Sequence, residues 1–258
     1  MGRKTVHFRR RSQAEFARQF TSLCNTKSSW EVWADFVTMS ATAIANALDW
    51  KSETHDAREK EYLSIINRYT KAEQQIFPAL LAKLVEALEE DPEQDFLGEM
   101  FMALELGSHW KGQFFTPYSI CQLMAAMTID DRGKQIQERG WAGIHDPCCG
   151  AGALLVAARN EMVKRGLGPR QALYVAQDID RTAALMCYLQ LSLLGCAGYV
   201  VVGDTLTQPS VGPTGSPLLI APAEGQEIWL MPAFYDKVWV YRVQFEKVVW
   251  LTMPREGK

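Results

Sequence analysis

The sequence is poor in the features that mark membranes, export and metal sites. It has no apolar run of about eighteen residues, the length a bilayer-spanning helix needs, and no leader of the secretory kind. Its four histidines are scattered, with no acid at metal-ligand spacing. Six cysteines (Cys24, Cys121, Cys148, Cys149, Cys187, Cys196) form no Cys-x-x-Cys pair, so they read as reduced, buried thiols of the cytoplasm and no metal is expected. Positive charge is not in excess either. The formal net charge of −3 gives no global field that would attract nucleic acid. These absences exclude a membrane protein and point to a cytoplasmic one.

What is present suits a packed core. Of 258 residues, 48% are hydrophobic and 22% charged, which fits one or two globular domains. Up to residue 105 the pattern is helical. Ser12-x-x-Glu15, Ser28-x-x-Glu31, Asp56-x-x-Glu59 and Thr70-x-x-Glu73 each match a capping box before an apolar-periodic run. They predict helices near 12–24, 28–49, 56–69 and 71–89, the last stopped by Asp91-Pro92. The basic opening, Arg3-Lys4 and Arg9-Arg10-Arg11, is either a phosphate contact or a solvated tail.

The chemistry gathers further on. After the apolar lead-in Trp141–Ile144 comes His145-Asp-Pro-Cys-Cys-Gly-Ala-Gly152, and then a helix-like run over 154–163. Gly150 and Gly152 have no Cβ, so the chain can turn sharply and a ligand can press against the backbone. Asp146 would stand at the carboxyl end of a strand, where open α/β sheets bind ligands. The third glycine of a dinucleotide fingerprint is missing, which argues against a pyrophosphate cradle. Two more apolar runs end in acids, Ala172–Asp178 and Tyr199–Asp204. Upstream, Gly112-Gln-Phe-Phe-Thr-Pro117 offers Thr116 as an N-cap and Pro117 as a first helical residue.

Taken together, Gly112–Pro117, Asp146–Gly152, Gln177-Asp178 and Gly203-Asp-Thr-Leu206 resemble the cofactor half of the N6-adenine DNA methyltransferases. The modification subunit of type I restriction-modification systems is the particular likeness, and Asp95–Phe101 resembles its short helix ahead of the Phe-Thr-Pro loop. The resemblance covers residues 95–206. It implies an α/β fold, a Rossmann-like class I methyltransferase sheet, complete or truncated, behind a helical N-terminal domain. It also implies S-adenosylmethionine as cofactor. Phe115, Thr116 and Pro117 would flank the cofactor's methionine portion, and Asp146, Gly150 and Gly152 would hold its amino-acid end. Asp178, in place of the family's usual Glu, would take the ribose hydroxyls, and Asp204 the adenine amino group. DNA is the implied partner, reached directly or through a partner subunit of a hetero- or homo-oligomer.

One absence breaks the pattern. The family's Asn/Asp-Pro-Pro-Tyr/Phe tetrapeptide, which accepts from the target amino group and stacks on the flipped base, occurs nowhere in this chain. The segment Leu230–Tyr235, after the apolar run Glu227–Leu230, is either a decayed version or a turn between two short strands. Residues 208–217 read as loop, and 237–243 and 245–251 as an antiparallel strand pair. The aromatics and cations of that pair suit either nucleic-acid stacking or the half-buried face of edge strands. The expected organisation is a helical domain over 1–105, a cofactor-binding core over 106–206 and a degenerate or replaced catalytic half over 207–258. No catalytic residue is assigned. The implied function is methyl transfer to adenine in DNA; the alternative is an inactive or split methyltransferase that keeps cofactor binding as a regulatory or interaction subunit.

Overall fold

The computed structural model describes residues 8, 10–49, 52–106, 115–129, 132–210 and 215–252, with backbone alone at 53, 132 and 134. Helices α1 (Arg11–Leu23), α2 (Ser29–Asn46), α3 (Glu53–Ile66), α4 (Lys71–Gln74), α5 (Ile76–Glu90) and α6 (Phe96–Ala103) come first. Ser28 accepts from the Glu31 amide, and Thr70 forms a reciprocal box with Glu73. Such bonds satisfy first-turn amides that no carbonyl of the helix reaches.

Two expected caps are displaced. Ser52 rather than Asp56 receives the first-turn amide of α3, because it offers the same oxygen one turn earlier. Ser12 lies inside α1, whose start is set by Arg10. That guanidinium reaches Asp91 at 2.6 Å and Gln94 at 2.9 Å. Arg11 in turn pairs with Glu15. Two of the five cations of the basic opening therefore have acidic partners of their own, while Arg3, Lys4 and Arg9 lie outside the described residues. The helix expected over 71–89 is interrupted at Gln75, and α5 ends at Asp91, held extended before Pro92.

The second half alternates strand and helix. Helices α7 (Tyr118–Thr128) and α8 (Arg132–Arg139) lead into β1 (Ala142–Asp146), α9 (Ala153–Lys164), β2 (Ala172–Asp178), α10 (Arg181–Leu193) and β3 (Ala197–Val202). β4 (Glu227–Leu230) and α11 (Lys237–Thr252) complete the list. The four strands form one open sheet in the order β1-β2-β3-β4, the first three parallel and β4 antiparallel to β3. Parallel pairing puts the carboxyl ends of β1, β2 and β3 on one edge, with Asp146 opposite Ala176 and Asp178 opposite Val202.

Each face of the sheet has its own apolar layer. On one, Ile144, Tyr174, Ala176 and Val200 join a continuous cluster with α9, α10 and the aromatics Phe16, Phe20, Trp33 and Phe36 of the N-terminal helices. On the other, Trp141, Leu173, Val175, Tyr199 and Val201 meet Leu218, Phe234 and Trp239. Among the described residues no helix is long and apolar enough to cross a membrane.

The expected strand pair over 237–251 is instead the single helix α11. Asp236 starts it by accepting from the Val238 amide at 2.8 Å. The run is rich in β-branched and aromatic residues, which favours a strand locally. Its helical form drives Trp239 into the sheet's second apolar layer, and tertiary burial overrides the local preference.

Candidate functional site

The loop between β1 and α9 is held by backbone amides that donate to two acids, Asp146 and Asp178, and to the Gln177 and Cys149 carbonyls. Asp146 takes the Cys148 amide at 3.1 Å and closes a tight turn. Asp178 at the end of β2 takes the Gly150 amide at 2.8 Å through one oxygen and the Asp180 amide at 2.9 Å through the other. Gly150 and Gly152 both have positive φ, +52° and +94°. Gly152 caps α9 so closely against α10 that an added Cβ would lie 2.8 Å from the Cys187 sulfur. Only glycine meets both conditions at once.

Above this loop lies a cavity of about 320 Å3, lined by Phe115, Thr116, Cys121, Met124, Asp146, Cys148, Gly150 and Asp178 among others. It lies within the usual range for a small-molecule site. No cation lines it. Burial, with Asp178 adding to it, pushes the Asp146 carboxyl above its ordinary range. Asp178 uses two of about four acceptor sites on backbone amides, which leaves room for further donors.

Five of the eight residues expected at the site line this cavity: Phe115, Thr116, Asp146, Gly150 and Asp178. Pro117 lines a neighbouring cavity that shares Phe115 and Thr116, and it stands at the cap position of α7, which begins at Tyr118. Thr116 therefore lies one residue further from the helix than its expected cap role, without a side-chain cap bond. Gly112, Gln113 and Phe114 lie outside the described residues. Gly152 supports the loop from beneath. Asp204 is half-buried, does not line the cavity and holds its own turn, accepting from the Leu206 amide at 2.9 Å and the Thr207 hydroxyl at 3.0 Å. The Leu206 amide keeps that carboxyl below its ordinary range.

Three side chains that position the chain at the strand ends escaped sequence reasoning in this role. Gln190, fully buried on α10, donates to the Ala151 carbonyl and to Asp95, both at 2.8 Å, and accepts from the Leu97 amide at 3.1 Å. Asp95 is buried with it, and that burial pushes its carboxyl up to about 6. Gln177 holds the chain after β3 by donating to the Gly203 and Gln208 carbonyls and accepting from the Ser210 amide at 2.7 Å. The available signal was a lone amide in an otherwise apolar run, as at Gln190. Such a group survives burial only when bonded.

The thiols differ from expectation in one respect. Cys121, Cys149, Cys187 and Cys196 are buried, but Cys148 is exposed and Cys24 half-buried. Cys148 occupies the cavity wall because the loop passes over the sheet edge instead of into the core. Burial raises the Cys121 thiol to about 11, and the neighbouring Cys187 together with burial raises Cys149, so these two walls are unreactive.

The segment Met231–Tyr235 does not stand at the cavity edge, where an acceptor tetrapeptide would act. β4 runs antiparallel, pairing Glu227 with Val202 and Leu230 with Tyr199, and so carries the chain away from the cavity edge. Met231 then donates to the Gly198 carbonyl at 2.9 Å, and Pro232–Tyr235 form a 3-10 turn. At about 3.3 Å per residue, β4 alone separates this turn from the carboxyl edge by about 13 Å. Met231 and Phe234 are buried in the two apolar layers and offer nothing to a base.

Comparison with curated proteins yields no match. Residues 95–237 match the sequence profile of the family described as N-6 DNA methylase. The matched region takes in the Asp95 cap, the loop before α7, the glycine turn and all four strands, more than half of the molecule. This chain belongs to the N-6 DNA methylase family.

Proposed function

We infer that the chain binds S-adenosylmethionine in the cavity above β1 and β2, as the cofactor-binding part of an N6-adenine DNA methyltransferase. The observation that carries this reading is the pairing of Asp146 and Asp178 around a cavity that no cation lines among the described residues. The cofactor has a sulfonium and an ammonium, and two partly buried carboxylates favour such a guest over a neutral or anionic one. Asp146 would take the ammonium and Asp178 the ribose hydroxyls. The glycine turn lets the backbone approach without side-chain interference, and Phe115 supplies an apolar wall. Bound there, the cofactor supplies a methyl group already activated for transfer to an amino nitrogen.

The chemistry on the acceptor side requires a group close to that nitrogen to take its proton. Among the described residues that line the cavity none is a carboxamide, and Asp146 and Asp178 each already accept a backbone amide of the loop. The position of Met231–Tyr235 favours a reading in which this chain holds the cofactor and another element completes the acceptor site.

Calorimetry with S-adenosylmethionine tests the assignment. Asp146→Ala and Asp178→Ala are each expected to weaken binding at least tenfold, whereas Asp204→Ala, outside the cavity, leaves it within twofold. Equal effects at all three positions would overturn the pocket. Affinity should also fall as the pH drops through the raised Asp146 value, since the protonated carboxyl no longer attracts a cation. Incubation with labelled cofactor and unmethylated DNA then separates binding from transfer, and transfer by the chain alone would contradict the missing acceptor.

A further inference from the structure

A second cavity, of about 740 Å3, shares Phe115 and Thr116 with the first and is otherwise lined by α6, α7 and the chain around the start of α1. It too has the size of a small-molecule site. Most of its polar side chains serve one another. Arg10 is held by Asp91 and Gln94, Gln13 donates to Glu99 at 2.7 Å, and Glu93 accepts from Lys164 at 2.8 Å. Asp95 is the exception. Only 3% exposed, it accepts the Gly98 amide and Gln190 through Oδ1, while Oδ2 accepts from no described residue. Nor is Oδ2 sealed in protein; it opens on the cavity. Gly98 keeps that oxygen open, because an added Cβ there would collide with it.

A carboxylate so placed is short of positive charge. Both donors to Oδ1 are neutral amides, and burial already pushes the group up to about 6. The described lining holds three acids, Glu93, Asp95 and Glu99, against one guanidinium, Arg10. An uncompensated buried carboxylate is costly, and a cationic guest relieves that cost. Phe8, Met100, Phe115 and Tyr118 add apolar and aromatic wall. Aromatic faces attract organic ammonium ions, and hydrocarbon packs on the rest. An anion would meet the excess of acids instead. Among the described residues no three acids, histidines or cysteines converge at metal distance, so a bare metal ion does not suit the cavity.

We propose that this second cavity binds a small organic amine, whose ammonium group donates to Oδ2 of Asp95 while its hydrocarbon portion lies against the aromatic wall. The proposal stands apart from the cofactor reading, because Asp146 and Asp178 line the first cavity and not the second. Amine and cofactor are held at the same time, with Phe115 and Thr116 as the wall they share.

The test uses the full chain with n-butylamine, which is charged at neutral pH, and n-butanol as its uncharged counterpart. Each is titrated while NMR follows the amide signals of Leu97 and Gly98, which donate to Gln190 and Asp95. The amine is expected to move both signals saturably, and the alcohol to bind at least tenfold more weakly. Asp95→Asn keeps the oxygen that caps α6 and removes the charge, so the fold should persist, as circular dichroism will verify. That variant should bind the amine at least tenfold more weakly. No saturable shift, equal affinity for alcohol and amine, or unchanged amine affinity in Asp95→Asn overturns the site. Displacement of the amine by S-adenosylmethionine overturns it as well, since the cavity would then hold the cofactor's own ammonium end. Amine binding without any cofactor binding leaves this site standing and overturns the cofactor reading alone.

Discussion

Helices α10 and α11 are both apolar nearly all round, yet α10 buries nine of its 13 residues and α11 only one of its 16. The difference lies in what surrounds them. α10 is enclosed by β2, β3, α2 and the glycine loop, and its one interior amide, Gln190, is fully bonded. α11 rests on the sheet through Trp239, with Val243 packed beside it, and leaves Tyr241, Phe245, Val248 and Leu251 exposed. The cofactor side of the molecule is a finished core with a cavity at its edge. The side beyond β1 has the composition of a core and the exposure of a surface.

The contrast can be broken most sharply by truncation. Leu189→Ala, fully buried on α10, is expected to cost about 2–5 kcal/mol in urea unfolding, and Val248→Ala on α11 less than about 0.5 kcal/mol. Comparable costs would mean that α11 is as enclosed as α10.

A second effect, somewhat smaller, comes from Asp95, which accepts from Gln190 and the Gly98 amide. Its carboxyl is raised from 3.8 to about 6 by burial, so the folded chain binds the proton more tightly than the unfolded one. This group favours the fold at pH below 3.8 and opposes it increasingly as the pH climbs towards about 6. Asp95→Asn keeps the accepting oxygen and removes the titration. At pH 7 it should therefore be more stable than the parent by on the order of 2–3 kcal/mol, with the gap closing on acidification towards pH 4. A gap that does not change with pH would contradict the burial argument.

Gly152→Ala should cost about 1–3 kcal/mol, because alanine resists positive φ and its methyl would meet Cys187. It should also weaken cofactor binding at least tenfold, by displacing the turn that α10 supports. A stable variant with unchanged affinity would contradict the role of the Gly152 turn in shaping the cavity.

Much of this was legible from residue patterns, and the reasons differ by region. Strands β1, β2 and β3 announce themselves as apolar runs ending in acids, and β4 as a short one. Asp146 and Asp178 meet at the cavity because parallel strands align their carboxyl ends. Asp204 follows the same pattern but ends in a solvent-facing turn, since nothing in a local pattern distinguishes a turn-forming Asp from a cavity wall. Gln190 and Asp95 are 95 residues apart, so their bond is invisible without the fold. The direction of β4 and the helical form of α11 depend on long-range packing in the same way. The sheet order, with β4 beside β3 and β1 at the edge, carries most of the functional consequence and has no local signature.

Hydrogen exchange along the chain, with and without S-adenosylmethionine, tests the central claim most directly. The account predicts slower exchange at the glycine loop and the end of β2, residues 148–152 and 177–180, with no change over 231–241. Protection centred on 231–241, or none at the glycine loop under saturating cofactor, would contradict it.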